Sequence, residues 1–142
     1  MLVINIKTLL MLAIVAIVAI SCAKMFSRGA GNPQAIAAFT TVGVEEFQAF
    51  IANPVVKLVD VRSQDEFDEG HIAGALLVDV SDGDFVEKAM AQLDKQRPVA
   101  VYCRSGRRSA RAANLLAAQG YQVTNLAGGV LAWQDAGKKL VK

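Results

Sequence analysis

One histidine and two cysteines in 142 residues leave little for metal chemistry. If one cysteine is taken by lipid, as argued below for Cys22, the remaining Cys and His71 cannot complete a four-ligand zinc site. No metal and no other cofactor is expected. The net charge of +2 is too small to point to nucleic acid, and Lys and Arg alternate with Asp and Glu along most of the chain. No internal repeat is visible. The length fits one domain with a proper core.

The mean hydropathy of +0.35 is high for a water-exposed domain, and the first twenty residues account for it. Lys7 precedes an unbroken apolar run of twelve, Leu9 to Ile20. That length suits the apolar region of an export signal and is short for a membrane span, although counting from Leu2 gives about 19 residues and keeps a span open. The run ends in Ala19-Ile20-Ser21-Cys22, which resembles a bacterial lipobox with Cys22 as the lipidation site. Residues 1–21 are therefore read as a signal peptide or signal anchor, with simple secretion as the third alternative. Residues 22–39, with Gly29, Gly31 and Pro33, are read as a tether. Within it, the stretch from Ala23 to Ala38, as a flexible coil, spans roughly 20–25 Å. The expected location is exported and attached to the membrane through this N-terminal segment.

Residues 40–142 alternate between helical and strand patterns. Val44, Phe47, Phe50 and Ile51 form a helical stripe behind Gly43. Val55–Val61 and Leu76–Val80 read as strands, and Ser63-Gln64-Asp65-Glu66 as a capping box. Phe85, Ala89, Met90 and Leu93 recur at helical spacing. Val99–Tyr102 reads as a third strand, Ser109–Gln119 as a helix stopped by Gly120, and Gln122–Leu126 as a fourth strand. Gly128-Gly129 then opens a terminal helix through Trp133, read as a packing anchor. Alternation of this kind gives a small α/β domain, a parallel sheet flanked by helices on both faces.

Within that frame Cys103-Arg104-Ser105-Gly106-Arg107-Arg108-Ser109 occupies a tight strand-to-helix turn. Open α/β sheets bind ligands at the carboxyl ends of their strands. Amides at a helix start favour negative charge and activate a thiol, so Cys103 is the candidate nucleophile, taken to be partly exposed. Arg104, Arg107 and Arg108 are unfavourable at such a helix start unless an anion sits there. The competing readings are an inert core cysteine and a solvated basic patch. A lone thiol outside the cytoplasm is a liability unless its reactivity is used.

Four segments in order resemble a single-domain rhodanese: Leu58-Val59-Asp60-Val61-Arg62; Glu66-Phe67 with Gly70-His71-Ile72-Ala73-Gly74-Ala75; Val101 to Ser109; and Leu126-Ala127-Gly128-Gly129-Val130 with Trp133. The resemblance spans about residues 40–138. It implies a doubly wound α/β fold and a sulfurtransferase whose cysteine, Cys103, carries sulfane sulfur as a persulfide. The donor would be a thiosulfate-like anion, and the acceptor a thiol or cyanide. A six-residue loop from the cysteine, here Cys103 to Arg108, marks the sulfur-transferring members; the related phosphatases carry one residue more. Arg104, Ser105, Gly106, Arg107 and Arg108 would then bind substrate, Arg104 and Arg107 holding the anionic end of the donor. Arg108 is expected to turn back toward Asp60, with Asp60 and Arg62 bracing the loop. The resemblance makes Gly70-His71-Ile72 a structural turn. An alternative is a sulfur carrier that relays persulfide sulfur to a partner without turning over by itself.

Overall fold

The computed structural model describes residues 38–142. The expected signal, Cys22 and nearly all of the tether lie outside the described residues. Among the described residues, no helix is long and apolar enough to cross a membrane.

The elements run β1 (Thr40–Val42), α1 (Val44–Ile51), β2 (Lys57–Asp60), α2 (Gln64–Glu69), β3 (Leu76–Leu77), α3 (Phe85–Gln92), β4 (Val99–Tyr102), α4 (Arg107–Ala118), β5 (Val123–Leu126) and α5 (Gly129–Asp135). The strands pair in the order β1-β5-β4-β2-β3, every pair parallel. The α/β parallel sheet expected from the alternation is what forms.

Strand β4 lies at its centre and shows why both faces must be covered. Its four residues are all buried, and side chains alternate across the sheet. Val99, Val101 and then Cys103 point to one face, where α3 supplies Phe85 and Ala89 and α4 supplies Ala112, Ala113 and Leu116. Ala100 and Tyr102 point to the other, against Phe47 of α1 and Val130 and Trp133 of α5. Trp133 is anchored further by its indole N–H, which donates to the Lys139 carbonyl at 3.1 Å.

Several boundaries differ from the sequence pattern. Strand β1 was not expected; its three residues are too few to show a period, and it forms by pairing with β5. Strand β2 starts at Lys57 rather than Val55, because Asn53 turns the chain first. Its side-chain oxygen accepts from the Val55 N–H at 3.0 Å, and its carbonyl from the Val56 N–H at 3.0 Å. Strand β3 is only Leu76–Leu77, although Val78 and Val80 still donate to the carbonyls of Asp60 and Val61 and stay buried. In α3 the inward stripe is Phe85, Ala89 and the following Leu93, and Met90 points out to solvent. Helix α4 begins two residues earlier than expected, at Arg107.

Because all strands run the same way, β2, β4 and β5 deliver Asp60-Val61-Arg62, Tyr102-Cys103 and Leu126-Ala127-Gly128-Gly129 to one end of the sheet.

Candidate active site

Residues 103–106 form the turn between β4 and α4. Its last residue, Gly106, has φ +95°, and a side chain there would also press on the Gly128 amide nitrogen at 3.1 Å. This backbone turns the Gly106 N–H onto the sulfur of Cys103, at 3.1 Å. The Ser109 hydroxyl, on the first turn of α4, reaches the same sulfur at 3.4 Å. Two carbonyls of the turn face the opposite way. That of Cys103 accepts from the Val130 N–H at 2.9 Å, and that of Arg104 from the Leu131 N–H at 3.2 Å. The first turn of α5 thus holds two peptide planes of the turn, and the plane of the Arg104 carbonyl carries the Ser105 amide, one of the donors to the sulfur.

Cys103 is 1% exposed, which corrects the expectation of a partly exposed thiol. Its Sγ sits on the floor of the turn and extends the core face of β4. Burial pushes the thiol up, but the Ser109 hydroxyl and the amides of Ser109, Gly106 and Ser105 outweigh it and hold the thiol below its ordinary value. Hydrogen-bond donors lead this effect, whereas the sequence had pointed to the arginines as well. Ser109 is the residue of this site that the sequence pattern does not reveal, because its hydroxyl reaches the sulfur from the helix that follows. A hydroxyl residue on the first turn of a helix that follows a strand-end cysteine is the signal that would have found it.

The titration can be read directly. Alkylation of Cys103 against pH is expected to show a midpoint below the reference thiol value of about 8.5. Ser109→Ala, which removes one donor to the anion, is expected to move that midpoint up. A wild-type midpoint at or above the reference contradicts this account of the turn.

The neighbouring charges form two separate pairs. Arg62 clamps Asp60 through Nε at 2.9 and 3.0 Å and through a terminal nitrogen at 2.6 Å, and it also donates to the Gly70 carbonyl at 2.7 Å. Both side chains are buried, and Arg62 lies over the Tyr102 ring at 5.7 Å. The Tyr102 hydroxyl accepts from the Ile72 N–H at 3.0 Å, so this cluster ties β2, β4 and the Gly70-His71-Ile72 turn together. His71 belongs to that turn. Its ring stacks on Phe67 at 3.7 Å, Nδ1 lies 3.0 Å from the Phe67 carbonyl, and its backbone bridges to Val141.

Arg108 does not reach Asp60. Both oxygens of Asp60 are already engaged by Arg62, and Arg108 instead makes a two-bond pair with Glu66, at 2.7 and 2.7 Å. Glu66 faces the turn because the expected capping box forms: its carboxylate accepts from the Ser63 N–H at 3.2 Å, and its own N–H donates to Ser63 Oγ at 3.4 Å. The Arg108 guanidinium, opposed by partial burial and helped by the smaller Ser63 contacts, holds the Glu66 carboxyl well below its ordinary 4.5, at about 2. A depressed carboxyl contributes stability that is complete above 4.5 and lost as pH falls through about 2. Both side chains are about a third exposed, so solvent screening reduces that contribution to about 1 kcal/mol. Glu66→Gln is expected to lower the thermal midpoint near neutrality and to converge on the wild type as pH approaches 2. A gap that stays constant with pH would assign the loss to packing.

Arg104 and Arg107 lie on two different sides of the turn. Arg104 is exposed and lines a cleft of about 470 Å³ together with Arg62, Gly70, Val130 and Leu131. Arg107 is exposed as well and lines a second depression with Ser105, Arg108 and Arg111.

A family model, the rhodanese-like domain, matches residues 43–136. A sulfurtransferase of Allochromatium vinosum is 40% identical over 87 residues, which cover 61% of this chain and 78% of that protein. The thiosulfate sulfurtransferase GlpE of Tolumonas auensis is 31% identical over 97 residues, covering 68% of this chain and 89% of the relative. The solution structure of a rhodanese-like domain from an Anabaena protein superposes with a TM-score of 0.65 at 27% identity, covering 73% of this chain and 80% of that one. The model match spans the helix before β2, the Cys103 turn and the Gly128-Gly129 segment that braces it, and on it the chain belongs to the rhodanese-like domain family.

Proposed function

We propose that the protein is a sulfurtransferase that carries sulfane sulfur on Cys103. The observation that carries this reading is the cluster of donors converging on one buried sulfur, with the Gly106 amide at 3.1 Å and the Ser109 hydroxyl at 3.4 Å. Donors so placed stabilise an anion at that point, first the thiolate and then the persulfide. The Cys103 thiolate attacks the outer sulfur of thiosulfate or a similar donor. The donor's S–S bond breaks, and sulfite leaves with the electron pair. A thiol or cyanide then attacks the outer sulfur of the persulfide, and the electron pair of that bond returns to Cys103. None of these steps requires a general base once the thiol is ionised.

With thiosulfate and cyanide together, the purified protein is expected to form many equivalents of thiocyanate per Cys103. A single loading followed by a stall would establish instead a carrier that depends on a partner. The reading extends to an exported protein held at the membrane by its N-terminal segment, residues 1–21 as signal, 22–39 as tether and Cys22 as the acylated residue. The mass of the mature N-terminus tests it, since an unmodified Cys22 in a membrane-bound full-length chain excludes lipidation.

A further inference from the structure

Helix α4 carries Arg107, Arg108 and Arg111 within its first five residues and no acidic residue in its first turn. Arg108 is neutralised by Glu66 and also feels Asp79. Arg107 and Arg111 are exposed and make no ion pair among the described residues. At i and i+4 they stand on one face of the helix, where like charges repel. With Ser105 and Arg108 they line a depression of about 500 Å³, the size of a small-molecule site, directly beside the turn that holds the sulfur.

Thiosulfate makes no use of this whole surface. Its charged oxygens lie only two bonds from the reacting sulfur, whereas Arg111 is set about 6 Å farther along the helix axis than Arg107, from the rise per residue. Two unneutralised guanidinium groups so spaced match a longer molecule with anionic groups away from its sulfur. Resting on the sulfur-transfer reading above, we propose that the depression lined by Ser105, Arg107 and Arg111 is an acceptor subsite that selects small thiols bearing carboxylates. The acceptor's thiolate attacks the outer sulfur of the Cys103 persulfide. The bond to Cys103 Sγ breaks toward Sγ, and the product leaves as the acceptor's persulfide, so no outside oxidant or reductant is required. The arginines oppose the repulsion between an anionic acceptor and the anionic persulfide.

The test is single-turnover transfer from thiosulfate-loaded protein to mercaptosuccinate, mercaptoacetate and 2-mercaptoethanol, with two, one and no carboxylates, compared at equal thiolate concentration. For each thiol the wild-type rate is divided by the Arg111→Gln rate, which cancels intrinsic nucleophilicity, and the neutral thiol is the reference. The ratio is expected to exceed the reference about fourfold for one carboxylate and up to about sixteenfold for two. That is the Coulomb effect of unit charges about 5 Å apart in a water-like dielectric. The excess should shrink as salt is raised. Ratios equal across the three thiols overturn the subsite while leaving sulfur transfer standing. Failure of the wild type to load sulfur from thiosulfate overturns the sulfur-transfer reading, and the subsite with it.

Discussion

Cys103→Ser is expected to reduce sulfur transfer to background, at least about a thousandfold, because a hydroxyl is too weakly ionised to displace sulfite and forms no persulfide. The fold should survive. Serine is smaller than cysteine by little, and at this position its oxygen meets the same donors, the Gly106 N–H and the Ser109 hydroxyl. A buried hydroxyl that keeps its hydrogen bonds changes stability by about 1 kcal/mol. Loss of activity with a near-native denaturation midpoint therefore separates the chemistry of the sulfur from its packing. Retained transfer in Cys103→Ser would remove Cys103 from the mechanism.

Gly129→Ala should have the next largest effect, without touching the sulfur. Gly129 has φ +57°, and a Cβ there would overlap the carbonyl oxygen of Cys103 and lie 2.5 Å from that of Arg104. These are backbone atoms of the turn and cannot swing aside as a side-chain tip would. Relief requires the turn or the start of α5 to move, and the hydrogen bonds from Val130 and Leu131 to those two carbonyls are what would be lost. A displacement of about 1 Å at such a point costs on the order of a hundredfold in rate. The thiol midpoint should rise at the same time, since the amides no longer aim at the sulfur. The paired readout matters, because simple destabilisation would lower the folded fraction and leave the titration of folded molecules where it was. Wild-type rate and titration in Gly129→Ala would show that α5 plays no part in shaping the turn.

Local patterns carried much of this in the sequence. The capping box at Ser63 and Glu66, the buried run before Cys103 and the stop at Gly120 each depend on residues a few positions apart, and each forms as read. The pairing of Arg108 was misread because it is settled forty-two residues away. Asp60 looks available in the sequence, yet Arg62, two residues on, takes both its oxygens, while the capping box aims Glu66 at the turn. The burial of Cys103 was likewise out of reach. A residue just past a strand end can point to either face, and only the packing of α4 against β4 fixes which. Ser109 was hidden for a different reason, as a serine opening a helix reads first as a helix-start residue and not as a donor to a sulfur six positions earlier.

The central claim is that Cys103 accepts and carries sulfur. Its most direct test is mass spectrometry of the intact protein after brief exposure to thiosulfate, with peptide mapping of the adduct. A gain of one sulfur atom located on Cys103 is expected, removed by cyanide and absent in Cys103→Ser. An unmodified Cys103 after that exposure, or an added sulfur that maps elsewhere, would contradict it.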